Sequence, residues 1–189
     1  MNLFKRGSRV LAIAESFDRQ DRYSVLAGVV YRLDRGFDGI QYRLNTVGGL
    51  DSTKNIIDLI EGFGREDINV IVLSGVVLSW YNIVDLDELY HTFGKPIVAL
   101  TYDESEGLIP YLVNMPRWEE RLLLYLRLGD RVEVTLKTGK RIYVRSIGIS
   151  IADATRLLNQ ITIEGGVPEP IRIARQAAYA ASKLIRSIQ

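Results

Sequence analysis

The order of the structural elements is set by the stretch INVIVLSGVVLSWYNIVDLDELYHTFGKPIVAL, residues 68–100. Its first apolar run, 70–78, is interrupted only by Ser74 and Gly75. The run is typical of a buried central parallel strand and is too short to cross a membrane. Asn82 is predicted to start a helix that ends at Gly94, before a second apolar run. The stretch therefore predicts a strand, a helix and a second strand.

Composition places the chain among ordinary globular proteins. Its 189 residues contain 24 Lys and Arg, 23 Asp and Glu and no cysteine, with a net charge of +1. Disulfides and thiolate metal sites are therefore excluded, and a reducing cytoplasmic setting is expected. No apolar run reaches membrane-spanning length, and the amino end lacks the apolar core of a signal peptide. We expect one domain over residues 1–189, with no membrane segment; the oligomeric state is not indicated.

The charges are unevenly distributed along the chain. Residues 51–104 carry 3 basic and 10 acidic side chains, whereas residues 117–189 carry 13 basic and 7 acidic ones. This pattern is compatible with carboxylates beside a cationic nucleic-acid track, and equally with charges that become mixed on folding.

Hydrophobic periodicity predicts the remaining elements. Upstream, three strands at 9–13, 23–33 and 37–47 form an antiparallel meander, and a helix begins at Asp51-Ser52. Downstream, the pattern predicts a helix over 117–128, a hairpin over 131–145, and helices that begin at Ser150 and Pro168. The predicted fold class is α/β, a mixed sheet of order β-β-β-α-β-α-β-α with an added β-hairpin and C-terminal helices. This is the order of the ribonuclease H-like fold, although other mixed sheets are compatible with it.

Five carboxylates are predicted near strand ends, where ligands of open α/β sheets lie. They are Glu15, Asp51, Asp85, Asp103 and Glu104. In ribonuclease H-like nucleases such carboxylates hold two divalent ions about 3.5–4 Å apart, which align an in-line attack on phosphate. Asp51, Asp85 and Asp103 are also placed where they would cap helices or turns. Glu15 follows a predicted strand, so a functional role is favoured for it over a solvated loop end.

Other side chains are compatible with nucleic-acid contacts. Trp80 and Tyr81 follow the central strand and would stack on an unpaired base or seal the end of the sheet. Arg172 and Arg175 are predicted on one side of the last helix. They would either bind a phosphate together or form part of a solvent-exposed face.

Five short segments, in this order, resemble one protein family. They are RVLAIAESF at 9–17, AGVVYR at 27–32, VGGLDST at 47–53, YNIVDL at 81–86 and PEPIRIA at 168–174. The family is the archaeal endonuclease dU family, distantly related to endonuclease V, and the resemblance spans nearly the whole chain. It implies a ribonuclease H-like fold and metal-dependent cleavage of DNA that contains deoxyuridine.

The chain departs from the family pattern at three places. Ala14-Glu15 replaces a pair of aspartates, Ser74-Gly75 replaces Asp-Gly, and Trp80 replaces a glycine. Ser74 cannot supply a carboxylate to a metal, and Glu15 can replace only one aspartate.

The resemblance implies a set of site residues. Glu15 and Asp51 would be catalytic and would hold Mg²⁺ or Mn²⁺, and Trp80, Tyr81, Asn82 and Arg172 would contact DNA. The alternative is a catalytically weakened or inactive relative that binds nucleic acid or a protein partner through the same cleft. A small-molecule site at the strand ends is a third hypothesis.

Overall fold

The computed structural model describes residues 5–188. It consists of a seven-stranded sheet with helices on both faces and a separate two-stranded hairpin. In chain order the elements are β1 (Arg9–Ser16), β2 (Tyr23–Arg32), β3 (Gly36–Thr46), α1 (Ser52–Glu61), β4 (Val70–Leu73), β5 (Val77–Leu78), β6 (Asn82–Ile83), α2 (Leu86–Phe93), β7 (Ile97–Thr101), α3 (Ile109–Leu112), α4 (Trp118–Arg127), β8 (Val132–Thr135), β9 (Arg141–Ile147), α5 (Ile151–Ile161) and α6 (Glu169–Ser187).

The main sheet has the strand order β3-β2-β1-β4-β7-β9-β8. Strands β1, β4 and β7 are parallel, with Ile13 opposite Leu73 and Leu73 opposite Ala99. The meander β1-β2-β3 and the strands β9 and β8 are antiparallel on either side. Because the three parallel strands share one direction, their carboxyl ends meet at one edge of the sheet, where a ligand site is expected.

Alternation along β1 produces a core on each face of the sheet. Leu11 and Ile13 pack in the core that includes α1 and α2, whereas Val10 and Ala12 pack in the core that includes α5. Side chains of successive strand residues point to opposite faces, so one apolar strand supplies both cores. Helix α6 packs through small residues, with Ala174 against Ala14.

The predicted element order is confirmed, with α3 and the hairpin β5-β6 added. Residues 1–4 and 189 of the predicted single domain lie outside the described residues. No described helix has both the length and the apolar character needed to cross a membrane.

Three boundaries differ from the prediction in ways that affect the site. The run 70–78 is not one strand, since β4 ends at Leu73 and Gly75 has a φ of 104°. Helix α2 begins at Leu86, and not at Asn82, because the carboxylate of Asp85 accepts the Glu88 amide at 3.0 Å and caps it. Strand β1 extends to Ser16, so Glu15 lies within the strand and does not follow it.

Candidate functional site

The candidate site is built around the turn of the hairpin β5-β6, residues 79–81, which we call the aromatic loop. Ser79, Trp80 and Tyr81 have φ values of 42°, 63° and 62°. L-residues other than glycine rarely adopt this left-handed region, and each such residue costs on the order of 1 kcal/mol or more. Three in succession require strong contacts with neighbouring residues, and the sequence does not show which residues supply them.

Glu15 supplies one of these contacts. Its two carboxylate oxygens accept the Ser79 backbone N–H at 2.9 and 3.0 Å, and Oε2 also accepts the Ser79 hydroxyl at 2.5 Å. Burial raises the pKa of the Glu15 carboxyl, and the hydrogen bonds from Ser79 oppose this only in part. In this structure Glu15 therefore anchors the aromatic loop to the end of β1.

Asn82 and Asp51 fix the other side of the aromatic loop. The fully buried Asn82 donates to Asp51 Oδ1 at 2.7 Å and to the Thr46 carbonyl at 2.9 Å, and its Oδ1 accepts the Ser52 N–H at 3.0 Å. Asn82 thus caps α1, whereas the Asp51 side chain, a predicted cap, does not. Desolvation acts to raise the pKa of Asp51, but hydrogen bonds from Thr46 and Asn82 outweigh it and hold this pKa low.

The turn Gly48-Gly49 closes against the same loop. The Gly48 N–H donates to the Ser79 carbonyl at 2.6 Å. A Cβ at Gly49 would lie 2.7 Å from Asp51 Oδ1 and 2.7 Å from the Thr46 Cβ, so only glycine fits this approach. The predicted strand ends at residue 47 and the predicted helix begins at Asp51, but the sequence does not show what packs against the residues between them.

Arg121 was missed by the sequence analysis. It is 2% exposed and donates to the carbonyls of Gly48, Gly49 and Tyr81 at 2.5–2.8 Å. It therefore ties the glycine turn to the aromatic loop. Its setting in a charged helix, EERLLL, is typical of a solvated arginine, so the sequence carried no signal for this role.

The predicted Mg²⁺ or Mn²⁺ ligands, Glu15 and Asp51, are each held by hydrogen bonds from the protein. A hard divalent ion takes about six oxygen ligands, several of them carboxylate oxygens free to coordinate. Both Glu15 oxygens are engaged by Ser79, and the two Asp51 oxygens accept from Asn82 and Thr46. Within residues 5–188, no three His, Asp or Glu side chains lie together in a way that could hold a metal ion.

The aromatic loop presents its rings beside further cationic and aromatic groups. The Arg19 guanidinium lies 3.4 Å from the centroid of the Trp80 ring. The Tyr81 ring is nearly parallel to that of the exposed Tyr111, with an angle of 13° between the planes and 6.4 Å between the centroids. Tyr111 was not predicted, because the sequence does not show that α3 packs beside this loop.

The two arginines of the predicted phosphate clamp do not act as a pair. Arg172 forms ion pairs with Glu164 at 3.0 Å and Glu169 at 3.2 Å. Arg175 instead donates to the Ser74 hydroxyl at 3.1 and 2.7 Å, at the carboxyl end of β4. The charge of Arg172 is compensated locally, whereas Arg175 reaches the sheet edge.

Comparison with known proteins assigns the family. The family model described as Endonuclease dU matches residues 6–182. The chain belongs to the Endonuclease dU family. A UPF0215 protein of Pyrobaculum aerophilum is 36% identical over 180 residues, which cover 94% of this chain and 96% of the relative.

Solved structures agree with this assignment and confirm the predicted ribonuclease H-like fold. An Archaeoglobus fulgidus protein is 28% identical with a TM-score of 0.81, covering 92% of this chain and 98% of that one. Endonuclease V of Ciona intestinalis, solved with a DNA that contains inosine, is 15% identical with a TM-score of 0.60 over 96% of this chain and 88% of its own. This likeness supports the fold, and membership of the Endonuclease dU family supports a nuclease-like function.

Proposed function

We propose that this chain recognises DNA that contains deoxyuridine, with the aromatic loop at the interface. The family match over residues 6–182 carries the proposal, since the family is described by that substrate. The loop supports it physically, because Trp80 and Tyr81 occur beside Arg19 and Tyr111. Aromatic faces stack on unpaired or extruded bases, and arginine adds attraction to the nearby backbone.

The proposed reaction is endonucleolytic cleavage of the recognised strand. Glu15 and Asp51 are the proposed catalytic carboxylates, and Mg²⁺ or Mn²⁺ is the proposed ion. The bonds from Ser79, Thr46 and Asn82 give both carboxylates a structural role, so the geometry supports recognition better than it supports this chemistry.

A second function is favoured by a specific observation. Ser74 stands where the family pattern has an aspartate, and its hydroxyl accepts the guanidinium of Arg175. A cation therefore lies where a carboxylate ligand would be needed. This arrangement favours a relative that binds deoxyuridine-containing DNA with weak cleavage or none.

A nicking assay separates the two functions. A duplex with one deoxyuridine and a matched duplex with thymidine would be incubated with Mg²⁺, Mn²⁺ or a chelator. Metal-dependent nicking at deoxyuridine, lost in Glu15→Gln and Asp51→Asn but kept in Glu61→Gln at the exposed end of α1, would support the endonuclease. Preferential binding of the deoxyuridine duplex without nicking would support the second function. Equal binding of both duplexes without nicking would contradict the proposal.

A further inference from the structure

Three arginines from distant parts of the chain line one cavity at the carboxyl ends of β4 and β7. The cavity has a volume of about 340 Å³, and Arg131, Arg145 and Arg175 lie on its wall together with Tyr102 and Tyr125. Across the described part of the chain, none of the three has an ion pair with a carboxylate. Most other arginines of the fold are paired, as Arg172 and Arg186 are. The cavity therefore holds three guanidinium groups that form no direct ion pair with a carboxylate.

Neutral acceptors hold these guanidinium groups in place. Arg131 donates to the Thr101 hydroxyl at 2.9 Å and to the Asp103 carbonyl at 3.1 Å. Arg145 donates to the Gly129 carbonyl at 3.1 Å, and Arg175 donates to the Ser74 hydroxyl. A guanidinium has five N–H donors, so each arginine keeps donors for a ligand. Burial and the neighbouring Arg131 charge both lower the pKa of Arg145, as expected where like charges approach one another.

The Tyr102 hydroxyl is a further feature of the cavity wall. This oxygen is buried in the cavity wall and has no hydrogen-bond partner among residues 5–188. Burial raises the pKa of Tyr102, and the Arg175 charge and the nearby Ser74 hydroxyl oppose this in part. The Arg175 guanidinium lies 4.5 Å from the centroid of the same ring. The ring and the guanidinium together form one side of the cavity wall.

The charge of the lining favours an anion with several oxygens. Two carboxylates, Asp103 and Glu104, also line the cavity, but both residues are exposed. Arginine forks match the tetrahedral oxygens of phosphate, which accept several charge-assisted hydrogen bonds at once. A cavity of this volume accommodates a phosphate with a small substituent, such as part of a nucleotide.

We propose that this cavity binds a phosphate group, with Arg131, Arg145 and Arg175 as its cationic ligands. The fixed guanidinium of Arg175 supplies positive charge at the strand end where Ser74 offers no metal ligand. If the phosphate belongs to a DNA strand, this site positions the DNA backbone near the aromatic loop. Only this assignment to DNA rests on the proposed function.

Titration calorimetry of the full chain with inorganic phosphate, at constant ionic strength, tests the site. Arg175→Gln and Arg131→Gln are expected to weaken binding by roughly tenfold or more, since each removes a charged donor. The matched control is Arg186→Gln, on the same helix as Arg175 and paired with Asp21 at 2.6 Å. It should bind phosphate like the unmodified protein. Circular dichroism would verify that each variant is folded.

A second pair of variants tests charge compensation without removing an arginine. Ser74→Asp places a carboxylate beside Arg175 and is expected to weaken phosphate binding as much as Arg175→Gln does. Ser74→Ala keeps the positive charge and should weaken binding less. Equal affinity in Arg175→Gln, Ser74→Asp and Arg186→Gln, or no binding by the unmodified protein, would overturn the proposal.

The source of the phosphate is decided by competition. A 5′-phosphorylated oligonucleotide, its unphosphorylated form and small phosphate esters would each compete with inorganic phosphate for the site. Displacement of phosphate by either oligonucleotide supports a strand phosphate, and displacement by free phosphate esters alone supports a small ligand. Phosphate binding that persists when deoxyuridine DNA is neither bound nor nicked would contradict the proposed function and leave this site intact.

Discussion

At the scale of single residues, Glu15 gives the sharpest prediction, because its folded-state pKa lies above the usual value of 4.5. The folded protein then holds this proton more tightly than the unfolded chain does. The stabilisation is complete below pH 4.5 and is lost as the pH rises through the raised pKa. The free energy of unfolding of the unmodified protein should therefore fall over this window relative to Glu15→Gln, which does not titrate. Urea denaturation from pH 4 to about 8 measures the difference.

Asp51 is the internal control, because its pKa is shifted in the opposite direction. Hydrogen bonds hold the pKa of Asp51 below its usual value of 3.8, so the folded protein binds this proton less tightly. The advantage of the unmodified protein over Asp51→Asn should be complete above pH 3.8 and decrease as the pH falls. The same trend for Glu15→Gln and Asp51→Asn would show that the two carboxyls do not have the contrasting surroundings described above.

At this scale the sequence identified Glu15 and Asp51 but not the residues that they contact. Glu15 and Asp51 do lie at the edge where a site was predicted, and each is bound to the aromatic loop or its supports. Their partners, Ser79 and Asn82, are 64 and 31 residues away in the chain. Such separations leave no periodic signal, so no spacing rule distinguishes an anchoring carboxylate from a metal ligand.

At the scale of elements, the aromatic loop depends on the buried guanidinium of Arg121. Its donors satisfy carbonyls of Gly48, Gly49 and Tyr81 that no other described group is placed to satisfy together. Arg121→Met fills similar space without these donors and leaves buried carbonyls unpaired. The expected loss is about 2–4 kcal/mol of unfolding free energy, by comparison with other unsatisfied buried groups.

Arg127→Met, on the same helix, is the matched control for this experiment. Arg127 is exposed and lies 3.7 Å from Asp85, a separation at which a surface ion pair contributes at most about 1 kcal/mol. Urea denaturation of the two variants gives the comparison. Equal losses would show that Arg121 does not hold the aromatic loop.

The element order was predictable because apolar period and turn residues act locally. The meander, the strand β4 and the helices from Ser150 and Pro168 all follow from such patterns. The start of α2 was not predictable from the sequence, since Asn82 and Asp85 are both good capping residues. Tertiary contacts decide between them. Asn82 accepts the Ser52 N–H at the start of α1, and Asp85 accepts the Glu88 N–H and caps α2.

At the scale of the whole molecule, folding converts a nearly neutral chain into one with a local concentration of positive charge. The net charge is only +1, yet three unpaired arginines meet at one cavity. They come from the segment before β8, from β9 and from α6, so only the sheet topology brings them together. The uneven charge distribution in the sequence was therefore informative, although the segment totals could not locate the site.

This arrangement predicts a modest dependence of DNA binding on salt that is specific to the cavity. The logarithm of the association constant falls with the logarithm of salt concentration, with a slope of about −0.9 for each phosphate neutralised. Arg175→Gln and Arg131→Gln should each reduce the magnitude of that slope by about one, because each removes one phosphate contact. Arg186→Gln, already paired with Asp21, should leave the slope unchanged. Fluorescence anisotropy with a deoxyuridine duplex at several salt concentrations measures these slopes. Identical slopes for all three variants would show that DNA does not contact the cavity.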